Sequence, residues 1–246
     1  MSTPPTPDVG RNRFPPTHWS VVFTAGHGRS DEAEKALAEL CRTYWYPLYA
    51  YARGSCRSPE DAQDLTQGFF EHLLETRLVA CADMTKGRFR SFLLQCFRNF
   101  MASEHAKATR QKRGGGQPIL SLDAAGAEAR FGREMTDQCG PDCLYERNWA
   151  LAVLDETMLQ VEREFAVSGR ERTFQTLRPH LQGDDHGLSY AALAKELATS
   201  EGTVRVMVYR LRRRYREVLH GVVLRTVTSP AEVEDELRYL LQVVQG

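Results

Sequence analysis

Apolar residues along this chain recur at steps of three and four, the spacing that lines one face of a helix. Ala33, Ala36, Leu37, Leu40, Tyr44 and Leu48 keep it from Asp31 to about Arg53, where Pro47 predicts a bend or a division. Ser58-Pro59 pairs a capping hydroxyl with proline at the first helical position, so a helix is expected over 59–76 with Ala62, Leu65, Phe69 and Leu73 inside. After a turn at Lys86-Gly87-Arg88, Phe89, Phe92, Leu93, Cys96, Phe97 and Phe100 open one long helix that turns basic and runs to about Arg113. Gly114-Gly115-Gly116 ends it. Leu144, Trp149, Leu151, Leu154, Met158, Val161 and Phe165 predict a helix over 141–167, and Phe174, Leu177 and Leu181 another over 172–181. Past Thr228-Ser229-Pro230, Val233, Leu237, Leu240, Leu241 and Val244 mark a final amphipathic helix. No strand pattern is present, so the expected fold is all-α.

Between the last two segments lies a pair of short patterns. Ser189 is a good N-cap for a helix that places Tyr190, Leu193, Ala194 and Leu197 on one face, and a turn over Ala198-Thr199-Ser200 follows. Val204, Val208, Leu211, Tyr215 and Val218 then form the apolar stripe of a second helix. At 100° per residue, Gly202, Val206, Tyr209, Arg210 and Arg213 point away from that stripe, with Arg205 and Arg216 beside them. A solvated face ordinarily mixes Glu with Lys. This one is almost purely basic, as a recognition helix lying in a DNA groove would be.

Composition changes that picture only through its distribution. The 246 residues carry 32 Lys and Arg against 32 Asp and Glu, a balance that by itself points to no partner. Yet acidic residues dominate from Asp31 to Asp83, whereas Lys86, Arg88, Arg90, Arg98, Lys107, Arg110, Lys112 and Arg113 face Glu104 alone. Residues 1–17, rich in Pro and Thr, predict a disordered arm without the features of a signal peptide, and no apolar run is long enough for a bilayer. The expected location is the cytoplasm. Six cysteines are scattered; Cys139 and Cys143 are the one close pair, and without further ligands nearby the reading is free thiols and no metal. No cofactor motif is present. Nor does any Ser-His-Asp, Cys-His, paired-carboxylate or nucleotide-loop arrangement point to an enzyme.

Two further stretches bear on function. In Asp61-Ala-Gln-Asp-Leu-Thr-Gln-Gly-Phe-Phe-Glu-His-Leu-Leu74, Asp61, Asp64 and Gln67 face outward and Glu71 and Glu75 continue the stripe. That acidic face is either a solubilising surface or a dock for a basic partner. Phe89-Arg-Ser-Phe-Leu-Leu-Gln-Cys-Phe-Arg-Asn-Phe-Met101 interleaves rings with cations and an amide, then leads into Lys107, Arg110, Lys112 and Arg113. Charge for phosphate, rings for stacking and Asn for a base edge suit single-stranded DNA, although most of these rings read as plain core.

The order of these motifs resembles a bacterial RNA polymerase sigma factor of the extracytoplasmic-function group in the sigma-70 family. The start at Thr17-His-Trp-Ser-Val-Val, the Gly-Arg-Phe-Arg-Ser-Phe block and the terminal extension are similar to a longer subgroup. The resemblance implies two modules, a region 2-like bundle over 18–115 and a region 4-like helix-turn-helix over 141–222, joined by a flexible linker over 116–140 and followed by a C-terminal helix over 223–246. It implies core-polymerase contacts at Asp61, Asp64, Leu65, Gln67, Phe70 and Glu71. Minus-10 DNA would be held by Arg90, Arg98, Asn99, Lys107, Arg110, Lys112 and Arg113. Minus-35 DNA would be read by Ser200, Glu201, Thr203, Arg205, Val206, Tyr209, Arg210 and Arg213. Here Gly68 stands where the family often has Glu, Phe92 replaces the usual Trp, and Val206 and Met207 occupy positions often held by Ser and Arg. The partners implied are core RNA polymerase and promoter DNA, with an anti-sigma factor or other regulatory protein left open, and a monomer when free. A regulator that binds duplex DNA without polymerase is the alternative.

Overall fold

The periodic segments fold as helices in a computed structural model that describes residues 18–27, 31–56, 58–110, 124–134, 140–181 and 189–245. Among these residues there are ten α-helices and no strand. The arm at 1–17, the triple glycine and most of the expected linker lie outside the described residues, as do Lys112 and Arg113. No helix among the described residues is long and apolar enough to cross a membrane.

The chain divides into two compact units between Ala152 and Val153. The first holds α1 (Trp19–His27), α2 (Asp31–Ser55), α3 (Pro59–Thr76), α4 (Phe89–Arg110), α5 (Ala124–Glu134) and the first half of α6 (Pro141–Val167). Pro47 neither bends α2 into two nor lies at its surface: the helix runs through it unbroken. Tyr44, Trp45, Tyr46 and Tyr49 are all buried around it, and Trp45 stacks on Tyr49 at 5.2 Å. Packing of four large rings outweighs the ~3 kcal/mol that proline costs a helix interior. On α3, Ser58 accepts a hydrogen bond from the Asp61 amide at 3.1 Å and Pro59 opens the helix, as the sequence reading expects. Phe69 joins α3 to α4 through Phe97 at 5.0 Å and Phe100 at 5.7 Å.

Two boundaries differ from the sequence reading. Residues 124–134, expected within the linker, form α5 and dock on α2. Ala127 and Phe131, one turn apart, are buried. Between them Glu128 accepts hydrogen bonds from the Tyr49 hydroxyl at 2.7 Å and from the Arg53 guanidinium at 3.0 Å. Burial pushes the Glu128 carboxyl up, but these hydrogen bonds together hold it below its ordinary value. Arg130 lies over the Tyr46 ring at 3.8 Å and donates to Asn148 of α6 at 2.8 Å. The second boundary is that of the second module, expected from 141. Residues 141–152 instead belong to the first unit, where Leu144, Tyr145, Trp149 and Ala150 are buried. At the start of α6, a Cβ on Gly54 would come within 3.0 Å of the Pro141 ring, so the absent side chain lets Pro141 seat against α2.

The second unit holds the rest of α6 with α7 (Glu171–Leu177), α8 (Tyr190–Glu196), α9 (Glu201–Leu224) and α10 (Val233–Gln245). The α9 stripe is buried at Val204, Val208, Leu211 and Val218, with Phe174, Leu177 and Leu193 also in the core. Ser189 and Ser200 cap α8 and α9 by accepting from Ala192 N and Thr203 N. Between them Ala198 takes φ +50°, a left-handed turn position that ends α8. The C-terminal helix α10 covers its own unit: it packs on α9 and buries Val233, Glu236 and Leu240. Cys41, Cys56, Cys81 and Cys96 are free thiols. Cys143 is disulfide-bonded, which corrects the expectation of free thiols throughout.

Candidate nucleic-acid interface

On α3 the outward stripe is present: Asp61 and Asp64 are exposed, and Leu65, Gln67 and Glu71 are half-buried. Gln67 donates to Glu71 at 3.2 Å, which ties the middle of the stripe together. Glu60 and Asp61 also sit in the first turn of α3, where a helix N-terminus favours negative charge whatever the partner. Phe70 corrects the sequence reading. It is 1% exposed and meets Phe69 at 5.9 Å, so it is a core ring and cannot reach a partner. Gly68 lies under Phe100, whose ring would be 3.4 Å from an added Cβ. An added Cβ there would meet the α4 ring at ordinary van der Waals distance.

The cationic residues of α4 sort into two kinds. Arg90 is 3% exposed, donates through Nε to Glu146 of α6 at 3.0 Å and lies over the Trp149 indole at 3.6 Å. The Tyr145 hydroxyl donates to its backbone carbonyl at 3.1 Å. Arg90 is therefore a buried link between α4 and α6, which removes it from the residues able to meet DNA. Arg98, two turns on, is half-exposed. Its Nε donates to the Tyr51 hydroxyl at 3.0 Å, its guanidinium lies 5.6 Å over the Tyr51 ring, and its Nη2 reaches Asp142 in the first turn of α6. Asn99 is exposed and its amide oxygen accepts from Gln95 at 3.0 Å. Lys107 is exposed beside Glu104 at 2.8 Å. Arg110 is the last residue of α4, and its side chain lies outside the described residues. Of the rings, Phe97 is core while Phe92 and Phe100 are half-buried.

In the second unit α9 carries the arginine burst, and geometry divides it. Arg212 donates twice to the His180 carbonyl, at 3.0 and 2.8 Å. Arg214 grips Glu164 of α6 at 2.7 and 2.8 Å and holds that carboxyl below its ordinary value. These two are internal ties. Both stand three or four residues from stripe positions, Arg212 from Val208 and Tyr215 and Arg214 from Leu211 and Val218, a spacing visible in the sequence. Arg205, Arg210, Arg213 and Arg216 remain exposed. Arg205 lies 5.7 Å over the Tyr190 ring of α8 and 4.0 Å from Glu201; Arg213 pairs with Glu217 at 3.0 Å. Val206 and Tyr209 stand between these cations, 48% and 66% exposed. Ser200 and Thr203 are exposed, and their hydroxyls bond each other at 2.9 Å beside the cap.

The fold and these faces define an all-α protein with an exposed acidic stripe on α3 in its first unit and exposed arginines on α9 in its second. Residues 40–111 match the family model of sigma-70 region 2, a stretch that contains most of α2, all of α3 and all of α4. No curated protein and no solved structure gives a match. Asp61, Asp64, Leu65, Gln67, Glu71, Arg98, Asn99 and Lys107 all fall within the matched stretch. The residues missed by the sequence reading are Tyr51 and Asp142, which meet Arg98 across 47 and 44 positions. Separation along the chain leaves no periodic signal for such pairs.

Proposed function

We propose that the protein is a sigma factor of the extracytoplasmic-function group, binding core RNA polymerase and directing it to promoters through minus-10 and minus-35 DNA. The observation that carries this reading is the sigma-70 region 2 match over α2, α3 and α4. The exposed carboxylates Asp61 and Asp64, with Leu65, Gln67 and Glu71, form the polymerase dock. Arg98, Asn99 and Lys107, continued by Arg110, Lys112 and Arg113, receive the opened minus-10 strand. Cations neutralise its phosphates, and Asn99 is suited to a base edge. The work is capture of unstacked bases, with no covalent step.

The α8–α9 pair supports the second DNA contact as a helix-turn-helix. Ser200, Glu201, Thr203, Arg205, Val206, Tyr209, Arg210 and Arg213 lie on or beside the exposed face of α9. Exposed arginines there attract phosphate and offer bidentate contacts to guanine, each worth roughly 1–3 kcal/mol of discrimination. Val206 has no hydrogen-bonding group and is suited to a thymine methyl. Val206→Ser should change the preferred base at one position in a binding-site selection; an unchanged profile would remove Val206 from the readout. Such a protein works in the cytoplasm with its polymerase.

Size-exclusion chromatography with purified core polymerase tests the whole reading. A stoichiometric complex is expected. Duplex binding without any complex would favour the polymerase-independent regulator instead.

A further inference from the structure

Two arginines of the minus-10 set are met by α6, and of these Arg90 is buried whereas Arg98 is half-exposed. The two outer contacts of Arg98 differ in kind. Tyr51, buried in α2, takes the Nε hydrogen and supports the guanidinium with its ring, which fixes the side chain's direction without opposing charge. Asp142 takes Nη2 with a carboxylate, the same charge and the same lone pairs that a phosphate would bring. The α6 backbone beneath Asp142 is anchored. Pro141 seats against Gly54, Leu144 and Tyr145 are buried, and Glu146 is tied to Arg90 one turn along. The Asp142 side chain itself is 62% exposed and Arg98 40%, so water is at hand when the pair opens.

We propose that Asp142 belongs to the single-strand site as an internal competitor: it occupies the Arg98 guanidinium until a DNA phosphate displaces it, and so sets how tightly the first unit holds an opened strand. The proposal rests on the reading of Arg98 as a strand contact. An exposed ion pair is weak, so the discount on affinity is about threefold, small enough for DNA to overcome. Tyr51 keeps the guanidinium in place throughout the exchange. The anchoring of α6 means that only the carboxylate has to swing aside.

A double-mutant cycle on the full chain separates competition from the general pull of removing an acidic group. Binding of a fluorescent single-stranded DNA oligonucleotide is measured for wild type, Asp142→Asn, Arg98→Gln and the double variant at one salt concentration. Tryptophan fluorescence melts on each protein establish that the first unit stays folded. Asp142→Asn should tighten binding about threefold when Arg98 is present and distinctly less when it is Gln. An equal gain in both backgrounds means a field effect, and no gain at all means no competition; either overturns the proposal. If Arg98→Gln weakens binding in neither background, the reading of Arg98 as a strand contact fails and the proposal falls with it. That outcome is distinct from a cycle in which Arg98 matters and Asp142 does not.

Discussion

Arg90→Ala should destabilise the first unit by about 3–5 kcal/mol, the usual result of removing one partner from a buried ion pair. The substitution leaves Glu146 without its guanidinium and strips the cation from the face of Trp149. Arg98→Ala, at a half-exposed pair, should shift stability by no more than about 1 kcal/mol. Urea titrations followed by tryptophan fluorescence measure the contrast directly. The protein's three tryptophans, Trp19, Trp45 and Trp149, all lie in the first unit, so the signal reports that unit alone. Replacing the pair together, Arg90→Met with Glu146→Leu, should recover much of the loss, because the desolvation cost disappears along with the attraction. If Arg90→Ala proved no worse than Arg98→Ala while DNA binding fell, Arg90 would return to the DNA interface where the sequence first placed it.

The other large effect lies on α3. Reversing Asp61 and Asp64 to lysine should abolish the complex with core polymerase, lowering affinity by at least about a hundredfold. Like charges brought together in an interface cost several kcal/mol, against the 1.4 kcal/mol that each tenfold represents. Both side chains are exposed, so the fold should survive. Asp61 stands in the first turn of α3, where lysine opposes the helix dipole by about 0.3–1 kcal/mol, a loss too small to account for the missing complex. Pull-down of core polymerase with wild type and the double variant measures it. Retention of the complex would show that these carboxylates serve only the solubility and capping of α3.

The sequence made the helices legible where one apolar stripe repeats over several turns, as in α3 and α9. It also located the caps at Ser58 and Ser189, whose chemistry is local; Ser200, which caps α9, was read only as part of the turn. Unbroken α2 was not legible because proline's local preference lost to rings packed from elsewhere. The burial of Arg90 left a trace that charge concealed: it stands three, four and seven residues before Leu93, Leu94 and Phe97, all core positions. Phe70 was placed in the dock through the family resemblance, although its own hydrophobicity beside Phe69 pointed to the core. The docking of α5 had almost no periodic signal, since two apolar residues one turn apart make a very short stripe. Its strongest anchors are Tyr49 and Arg53, 79 and 75 residues from Glu128.

Residues 40–111 alone would leave Arg90 and Trp149 without each other. The first unit is completed by α5 and by the opening turns of α6, which bring Glu128, Asp142 and Glu146 against the cations of α2 and α4. A truncation ending near residue 115 would therefore lose part of its own core.

Run-off transcription measures whether the protein gives core polymerase a promoter. Core polymerase, the purified protein and a promoter library should yield discrete transcripts that core polymerase alone does not make. They should share a minus-10 and a minus-35 element, and disappear when Asp61 and Asp64 are reversed. Transcript levels equal to those of core polymerase alone across the library, with duplex DNA still bound, would contradict the sigma-factor reading and leave a DNA-binding regulator in its place.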